Sequence, residues 1–132
     1  MTAAERVCAF LDEAQTYYLA TVEGDQPRVR PFGAVSEIDG CAYICTNNTK
    51  PVYQQLQANP KTEISAMLPG GEWLRICGNL VRDDRDEARE AMLKDNPSLG
   101  AMYHVGDGIF EVLRLENAKG CKCSFTAPPE EL

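Results

Sequence analysis

The chain has 132 residues, of which 44% are hydrophobic and 25% charged, as expected for one globular domain. Thirteen Lys and Arg residues face twenty Asp and Glu residues, so the formal net charge is −7. This charge disfavours nucleic acids and anionic membranes as partners, and no apolar run approaches the ~20 residues of a membrane helix. A small anionic ligand would need a local basic pocket.

The cysteine pattern indicates reduced thiols in a cytoplasmic protein. Residues 1–11 carry charges and lack the apolar core of a secretory signal. Six cysteines are present, none in a CxxC pair, and His104 is the only histidine, so we predict no metal site. Cys121 and Cys123 form the one ligand-like pair, and a second pair that would complete a zinc site is missing. A metal site or a disulfide there is the less favoured alternative.

The first half of the chain predicts one helix, then strands, then a second helix. Apolar spacing predicts a helix over 3–15, with Thr2 and Glu5 as its capping box. The β-rich segments are 17–23, 27–36 and a hairpin of 35–38 with 41–46 around Asp39-Gly40. Pro51 and Asn59-Pro60 bracket the second helix.

The second half repeats this alternation. We predict strands over 62–68, 72–82, 108–116 and 121–126, a helix from a cap at Asp83 or Asp84 to Lys94, a helical turn near 99–103, and a frayed tail over 127–132. Strands joined by short turns exclude a parallel βαβ sheet. The chain is therefore predicted to be a single mainly β domain, residues 1–132, closed as a small antiparallel barrel of about seven strands with peripheral helices.

Two segments combine into a candidate phosphate site. Arg28 and Arg30 lie on one face of a strand, and Pro31 places that strand at an edge. The stretch 46–50 precedes the Pro51 helix, whose N-terminus attracts anions. In an antiparallel meander the arginine strand is the hairpin partner of the strand that ends at Thr46, so both segments would meet. The alternatives are arginines bridged to surface carboxylates and ordinary helix capping.

A third segment contains the only tryptophan. Trp73 and Arg75 share one strand face, and this segment alone favours an aromatic packed at a barrel rim or a subunit contact over a functional role. Hydrolytic chemistry has little support, because His104 lies in a loop-like stretch and the acidic run 83–87 is typical of a solvated helix start. No catalytic residue is assigned. A phosphate pocket with few acids, bases or nucleophiles suggests that a cofactor supplies the chemistry.

The order of several short motifs resembles the pyridoxamine 5′-phosphate oxidase-like family of FMN-binding split β-barrels. The matching segments are 18–22 (YLATV), 26–33 (QPRVRPFG), 43–50 (YICTNNTK), 59–60 (NP), 73–78 (WLRICG) and 99–103 (LGAMY). The resemblance spans about residues 5–126. It implies a six- to seven-stranded antiparallel split barrel of Greek-key type and a homodimer with two FMN sites at the subunit interface.

The family resemblance also implies which residues bind the cofactor. The candidate phosphate residues are Arg28, Arg30, Thr46, Asn47, Thr49 and Lys50. Val29, Pro31 and Phe32 belong to the strand whose backbone would lie along the isoalloxazine, and Trp73 and Arg75 to the strand that would reach the flavin from the partner subunit. The expected cofactor is FMN.

The implied function is an FMN-dependent oxidoreductase acting on an unidentified small molecule, with NAD(P)H as a candidate electron donor. The C-terminal segment 117–125 lacks the Arg and His residues that hold pyridoxal phosphate in true pyridoxamine phosphate oxidases, so that activity is not expected. Similar short barrels handle nitroimidazoles, deazaflavin or haem, and the lone His104 gives haem no particular support. Two alternatives remain: a flavin carrier or redox sensor without turnover, and a barrel that binds another phosphorylated ligand.

Overall fold

A computed structural model describes all residues, 1–132. It contains three α-helices and one 3₁₀ helix: α1 (Ala3–Ala14), α2 (Pro51–Ala58), α3 (Asp86–Asp95) and the 3₁₀ turn Pro97–Ala101. It also contains eight strands: β1 (Tyr17–Glu23), β2 (Gln26–Phe32), β3 (Ser36–Ile38), β4 (Cys41–Asn47), β5 (Lys61–Met67), β6 (Trp73–Asp83), β7 (Phe110–Cys123) and β8 (Glu130–Glu131). No helix has the length and apolarity needed to cross a membrane.

Helix α1 forms for the reason that the sequence indicates. The Thr2 hydroxyl accepts a hydrogen bond from the Glu5 N–H at 3.1 Å, and the Glu5 carboxylate accepts one from the Thr2 N–H at 3.4 Å. This confirms the predicted capping box. The helix buries Val7 and Leu11 against the sheet and ends before Gln15, whose φ of 67° leaves the helical region.

All eight strands belong to one antiparallel sheet. Its order is β2-β1-β5-β6-β7-β4-β3, and β8 pairs with the C-terminal end of β7, at Cys121 and Lys122. Strands β2 and β3 are the two edges of this sheet, and α1 and α2 pack on its inner side. The arrangement confirms the predicted mainly β, antiparallel split barrel, and it confirms the edge position that Pro31 indicated for its strand.

The predicted pairing between the arginine strand and the Thr46 strand is wrong. Strand β2 pairs with β1 through the tight turn at Gly24, and β4 pairs with β3 and β7. The segment 33–35 is not part of a strand, so the extended run predicted over 27–36 is interrupted and β3 starts a separate hairpin. The two basic segments consequently lie on different strands that are not neighbours in the sheet.

The C-terminal part also differs from the prediction. The two expected strands are one 14-residue strand, β7, with a register irregularity opposite Cys77 and Asn79. Gly78 permits it, because a Cβ at that position would stand 2.7 Å from the Glu116 carbonyl oxygen. The tail 127–132, predicted to be frayed, returns to the sheet through β8, and the Leu132 N–H donates to the Gly120 carbonyl at 3.1 Å.

Two apolar clusters make up the core. The larger fills the barrel beneath α1 and α2, with Leu11, Leu19 and Leu74 among its most buried members. The smaller lies between α3 and the β4–β7 pair, where Tyr103 stacks on Phe110 with ring centroids 5.0 Å apart. Helix α2 therefore lies at the larger cluster, and the loop that precedes it extends from the end of β4.

A buried ion network connects α3 to the sheet. Glu111, only 3% exposed, accepts hydrogen bonds from Arg89 at 2.9 Å, Arg82 at 3.2 Å and Asn48 at 3.2 Å. Arg89 is itself 8% exposed and also donates to the Phe110 carbonyl at 3.0 Å. Arg89 also pairs with the exposed carboxylates of Asp84 at 2.7 Å and Asp86 at 3.1 Å, and the whole network fixes α3 against β7.

Asp83 is the centre of a second charged cluster, and the prediction that Asp83 or Asp84 caps α3 is wrong. It is the last residue of β6, is 6% exposed, and accepts hydrogen bonds from Arg85 at 2.8 Å and from the Tyr43 hydroxyl at 2.7 Å. The N-cap of α3 is Arg85, which has no side-chain capping bond. Asp83 continues the strand because its carboxylate is satisfied by side chains around it.

The two buried carboxylates predict a loss of stability in acid. Hydrogen bonds from Arg85 hold the pKa of Asp83 below its ordinary 3.8. Burial raises the pKa of Glu111, but hydrogen bonds from Arg82 and Arg89 outweigh it and leave the pKa below 4.5. As the pH falls, the unfolded chain therefore binds protons before the folded chain does. The stabilisation from these two carboxylates is complete above their pKa values in the unfolded chain and declines below about pH 4.5. The urea midpoint of unfolding should be equal at pH 7 and pH 6 and should decrease below about pH 4.5. A midpoint at pH 3 equal to that at pH 7 would contradict this assignment.

Candidate functional site

Arg30 is the centre of a polar cluster between β2, β1 and α2. Its guanidinium donates to the Leu19 carbonyl at 3.1 Å, to the Thr21 hydroxyl at 2.8 Å and to the Gln55 side-chain oxygen at 2.7 Å. The Thr21 hydroxyl in turn donates to Gln55 at 2.6 Å. Gln55 lies on the buried face of α2, so the cluster links the arginine strand to the helix that follows Lys50.

The charge of Arg30 has no counter-charge in the chain. No carboxylate lies within 4.0 Å of its guanidinium, and every oxygen that accepts its hydrogen bonds is neutral. Burial, with a smaller contribution from Arg28, lowers the pKa of Arg30, although a guanidinium stays protonated in proteins. A half-buried, uncompensated cation in a chain of net charge −7 favours an anionic ligand.

The other candidate arginines are paired. Arg28 contacts Glu23 at 2.8 Å, and Arg75 contacts Glu63 at 2.8 Å, with all four side chains largely exposed. For Arg28 this is the alternative that the sequence left open, an arginine bridged to a surface carboxylate. Arg30 and Arg28 share a strand face, as predicted, but only Arg30 is available as an unpaired charge.

The N-terminus of α2 provides a second basic feature. Lys50 is the N-cap, is exposed and makes no ion pair, and its side chain does not cap the helix. Pro51 occupies the first helical position. Since no side chain caps this helix, its positive dipole end and the Lys50 ammonium are both open to an anion.

Thr46 carries an unpartnered buried oxygen. The residue is 4% exposed, at the end of β4, and its hydroxyl is the one buried side-chain polar atom in the chain without a hydrogen-bond partner. A buried unsatisfied group costs about 1–3 kcal/mol and calls for an explanation. An oxygen-rich ligand group beside the Thr46–Lys50 loop would satisfy this hydroxyl, so this residue fits the phosphate that the sequence predicts.

Asn47 and Thr49 are engaged in shaping the loop. The Asn47 carboxamide oxygen accepts from the Thr49 N–H at 3.0 Å and from the Thr49 hydroxyl at 2.5 Å. The Asn47 amide nitrogen donates to the Tyr103 hydroxyl at 2.9 Å. These two residues therefore hold the turn before α2, and any contact with a ligand would be additional to that role.

The residues beside Arg30 on β2 point in two directions. Phe32 lies on the Arg30 face and packs against Tyr17 with ring centroids 6.0 Å apart. Val29 and Pro31 lie on the opposite, outer face, where Val29 is 68% exposed. The backbone of this edge strand is thus bordered by core on one side and by solvent on the other.

Trp73 and Arg75 lie on that same outer face. The cross-strand row runs from Pro31 through Tyr18 and Ser65 to Arg75, and the inward neighbours of Arg75 on β6 are buried as predicted. Trp73 packs against Phe125 with ring centroids 4.8 Å apart. One copy of the chain therefore presents the candidate phosphate-binding residues on one face of the sheet and Trp73 and Arg75 on the other.

Sequence reasoning missed two members of the Arg30 cluster, Thr21 and Gln55. Gln55 has a signal: it stands at i+3 from Val52 and next to Leu56, a polar residue inside the apolar stripe of α2. Thr21 has none, because a threonine in a strand is ordinary. His104 lies in an exposed loop, as the sequence indicated, and contacts only backbone and Asp107.

Comparison with known proteins identifies the family. Residues 3–117 match the family model described as pyridoxamine 5′-phosphate oxidase. The chain belongs to this family. The family assignment confirms the resemblance that the sequence motifs indicated, and it covers all of the candidate site residues. A search of the curated proteins gives no match.

Three solved structures resemble this chain. A NimC/NimA family protein from Clostridium acetobutylicum is 48% identical over 100% of this chain and 95% of its own, with a TM-score of 0.94. An FMN-binding protein related to pyridoxamine 5′-phosphate oxidase, from Nostoc punctiforme PCC 73102, is 18% identical over 96% and 81% of the two chains (TM-score 0.58). A heme-binding protein from Mycobacterium smegmatis is 17% identical over 100% of this chain and 58% of its own (TM-score 0.77). The last two show the shared fold alone.

Proposed function

We propose that this protein is an FMN-binding flavoprotein and an oxidoreductase acting on a small molecule. The observation that carries the proposal is Arg30, a half-buried cation without a counter-charge, hydrogen-bonded to the helix whose uncapped N-terminus follows Lys50. The unpartnered hydroxyl of Thr46 supports the same site. Among the relatives, the Nostoc punctiforme protein is described as FMN-binding, which agrees with this choice of ligand.

The chain's own residues would bind and orient the cofactor. Arg30 and Lys50 would neutralise the phosphate, and the Thr46 hydroxyl would donate to one of its oxygens. Asn47 and Thr49 hold the loop in position, and Thr21 with Gln55 fixes the rotamer of Arg30. When bound, FMN supplies hydride and electron transfer at its flavin N5, so the protein needs no nucleophile of its own.

A second copy of the chain is part of the proposal. The phosphate candidates and Trp73 with Arg75 lie on opposite faces of one sheet, so one copy cannot surround a single ligand with both sets. The outer face also exposes three large apolar side chains, Tyr18 (51%), Val29 (68%) and Met67 (56%), which a partner would cover. We propose a homodimer with two FMN sites at its interface, located in the cytoplasm in keeping with six free cysteines.

The spectrum of the purified protein and its turnover test this function. We expect a yellow protein with flavin absorbance, or one that acquires it from added FMN, in which anaerobic NADH or NADPH bleaches the flavin. Candidate electron acceptors should then restore the absorbance. FMN binding without reduction of the flavin by any donor would favour the second candidate, a flavin carrier or redox sensor. The lack of a general acid or base around Arg30 is the observation that favours this candidate. A protein that refuses FMN would overturn both.

A further inference from the structure

Strand β7 carries a pair of thiols that the flavin hypothesis does not use. Cys121 and Cys123 are two positions apart on one strand, so both side chains lie on its outer face. Their Sγ atoms are 3.3 Å apart, within hydrogen-bonding distance for sulfur, and both cysteines are free. No other pair of thiols in the chain forms such a contact.

The two thiols have different environments. Cys121 is half-buried in a surface depression that is lined by the cations Arg75 and Lys119 and by the carboxylates Glu63 and Glu131, and its cross-strand partners are Arg75 and Glu131. Cys123 is 9% exposed beside Trp73, and the hydrogen bond with Cys121, followed by burial, raises its pKa. Cys121 is the more exposed of the two thiols and is therefore placed to react first.

We propose that Cys121 and Cys123 form a redox-active dithiol that a small-molecule disulfide oxidises to an intramolecular disulfide bond. The Cys121 thiolate attacks one sulfur of the disulfide, forms a mixed disulfide and releases one thiolate. Cys123 then loses its proton to solvent, attacks the Sγ of Cys121 and expels the second thiolate. Two cysteine thiols are oxidised and the small disulfide is reduced to two thiols, so atoms and electrons balance.

The backbone makes this couple reversible. Residues two apart in an extended strand have Cα atoms about 6.6–7 Å apart, at the upper limit for a disulfide. The oxidised form therefore stores strain and is readily reduced by thiols, a property of regulatory and catalytic disulfides and not of structural ones. The site thus acts as a dithiol switch on the outer face of the sheet.

Three of the remaining cysteines, Cys8, Cys45 and Cys77, do not compete with this pair. Burial raises the pKa of Cys8 and of Cys45 to about 12, so neither is a ready nucleophile. Cys77 is exposed on the same face, but it pairs with Lys119 and is a diagonal neighbour of Cys121, a relation that separates Cα atoms by about 7–8 Å. Cys77→Ser is therefore the matched control, since it removes an exposed thiol and leaves the pair intact.

The test equilibrates the full-length protein in buffers of increasing oxidised-to-reduced glutathione ratio and measures free thiols and intact mass. Wild type and Cys77→Ser should each lose two thiols from the pair and two hydrogens in mass, with full recovery on adding dithiothreitol. Cys123→Ser should instead accumulate a glutathione adduct on Cys121. Cys121→Ser should react more slowly at Cys123 by at least tenfold.

Two results would overturn the proposal. One is a wild-type protein that keeps both thiols of the pair, or holds a stable glutathione adduct on Cys121, across the whole range of buffers. The other is loss of the bridge in Cys77→Ser, which would assign the reactive pair to Cys77. Peptide mapping locates the bond, and circular dichroism of the reduced variants confirms their folding. The measurement needs no flavin, so a failure to bind FMN leaves its outcome unaffected, and gel filtration of the reduced protein shows whether a partner subunit covers this face.

Discussion

Glu111→Gln is expected to lower the free energy of unfolding by about 1.5–3 kcal/mol, the usual contribution of hydrogen bonds to a charged group, because Arg89 keeps its ion pairs with Asp84 and Asp86. Glutamine preserves the shape and an acceptor oxygen but removes the buried charge opposite Arg89, which is 8% exposed. The loss should appear as a lower urea midpoint with an unchanged slope. Helix α3 should be the first element to lose amide protection, because Arg89 and Glu111 fix it to β7.

Glu63→Gln is the matched control for that change. Glu63 also pairs with an arginine, Arg75, at 2.8 Å, but both side chains are largely exposed. Its midpoint should therefore be indistinguishable from wild type, because exposed pairs contribute little. If both variants shifted the midpoint equally, the burial of Glu111 would not be the source of its effect, and the network would have to be regarded as a surface feature.

Arg30→Met is expected to weaken FMN binding by roughly 10- to 100-fold, from the loss of about 1.5–3 kcal/mol of charge-assisted hydrogen bonding. Methionine fills much of the same volume and leaves Thr21 and Gln55 hydrogen-bonded to each other. The affinity is measured by flavin fluorescence on protein stripped of cofactor. We expect Arg28→Met to have a smaller effect, because the charge of Arg28 is already compensated by Glu23.

Arg6→Met controls for net charge, since Arg6 is an exposed cation on α1, far along the chain from the site. It should bind FMN as wild type does. An Arg30→Met protein that folds normally and binds FMN with wild-type affinity would refute the phosphate role of Arg30. Lys50→Ala should also weaken binding, and a loss in the double variant that differs from the sum of the two single losses would indicate that both cations contact the same phosphate.

Local sequence patterns predicted most helices and strands of this fold, but they did not predict which strands pair. The capping box of Thr2 and Glu5 and the helix after Pro51 depend on residues a few positions apart, so the sequence was sufficient. The neighbour of β2 depends on how the whole sheet closes, and a three-residue interruption at 33–35 redirected the chain into another hairpin. Likewise, Gly78 and Gly120 allow β6 and β7 to approach each other closely, and the two strands expected in this region form the single strand β7.

The candidate site was predictable in its residues but not in how they meet. Arg30 and Lys50 were expected to meet through a shared hairpin, and in the structure the link is Gln55 on α2. Which of the four candidate cations are uncompensated also depends on three-dimensional neighbours, because the carboxylates of Glu23 and Glu63 reach Arg28 and Arg75 only once β1, β2, β5 and β6 are paired. The unpartnered hydroxyl of Thr46 is a property of packing that no sequence pattern reveals.

Comparing FMN with riboflavin as ligands tests the central claim most directly. The two flavins share the isoalloxazine and ribityl chain and differ by the phosphate that Arg30, Lys50 and Thr46 are proposed to hold. Isothermal titration of the stripped wild-type protein should give an affinity for FMN at least about tenfold above that for riboflavin, in keeping with charge-assisted phosphate contacts. Equal affinities, or no binding of either flavin, would contradict the account.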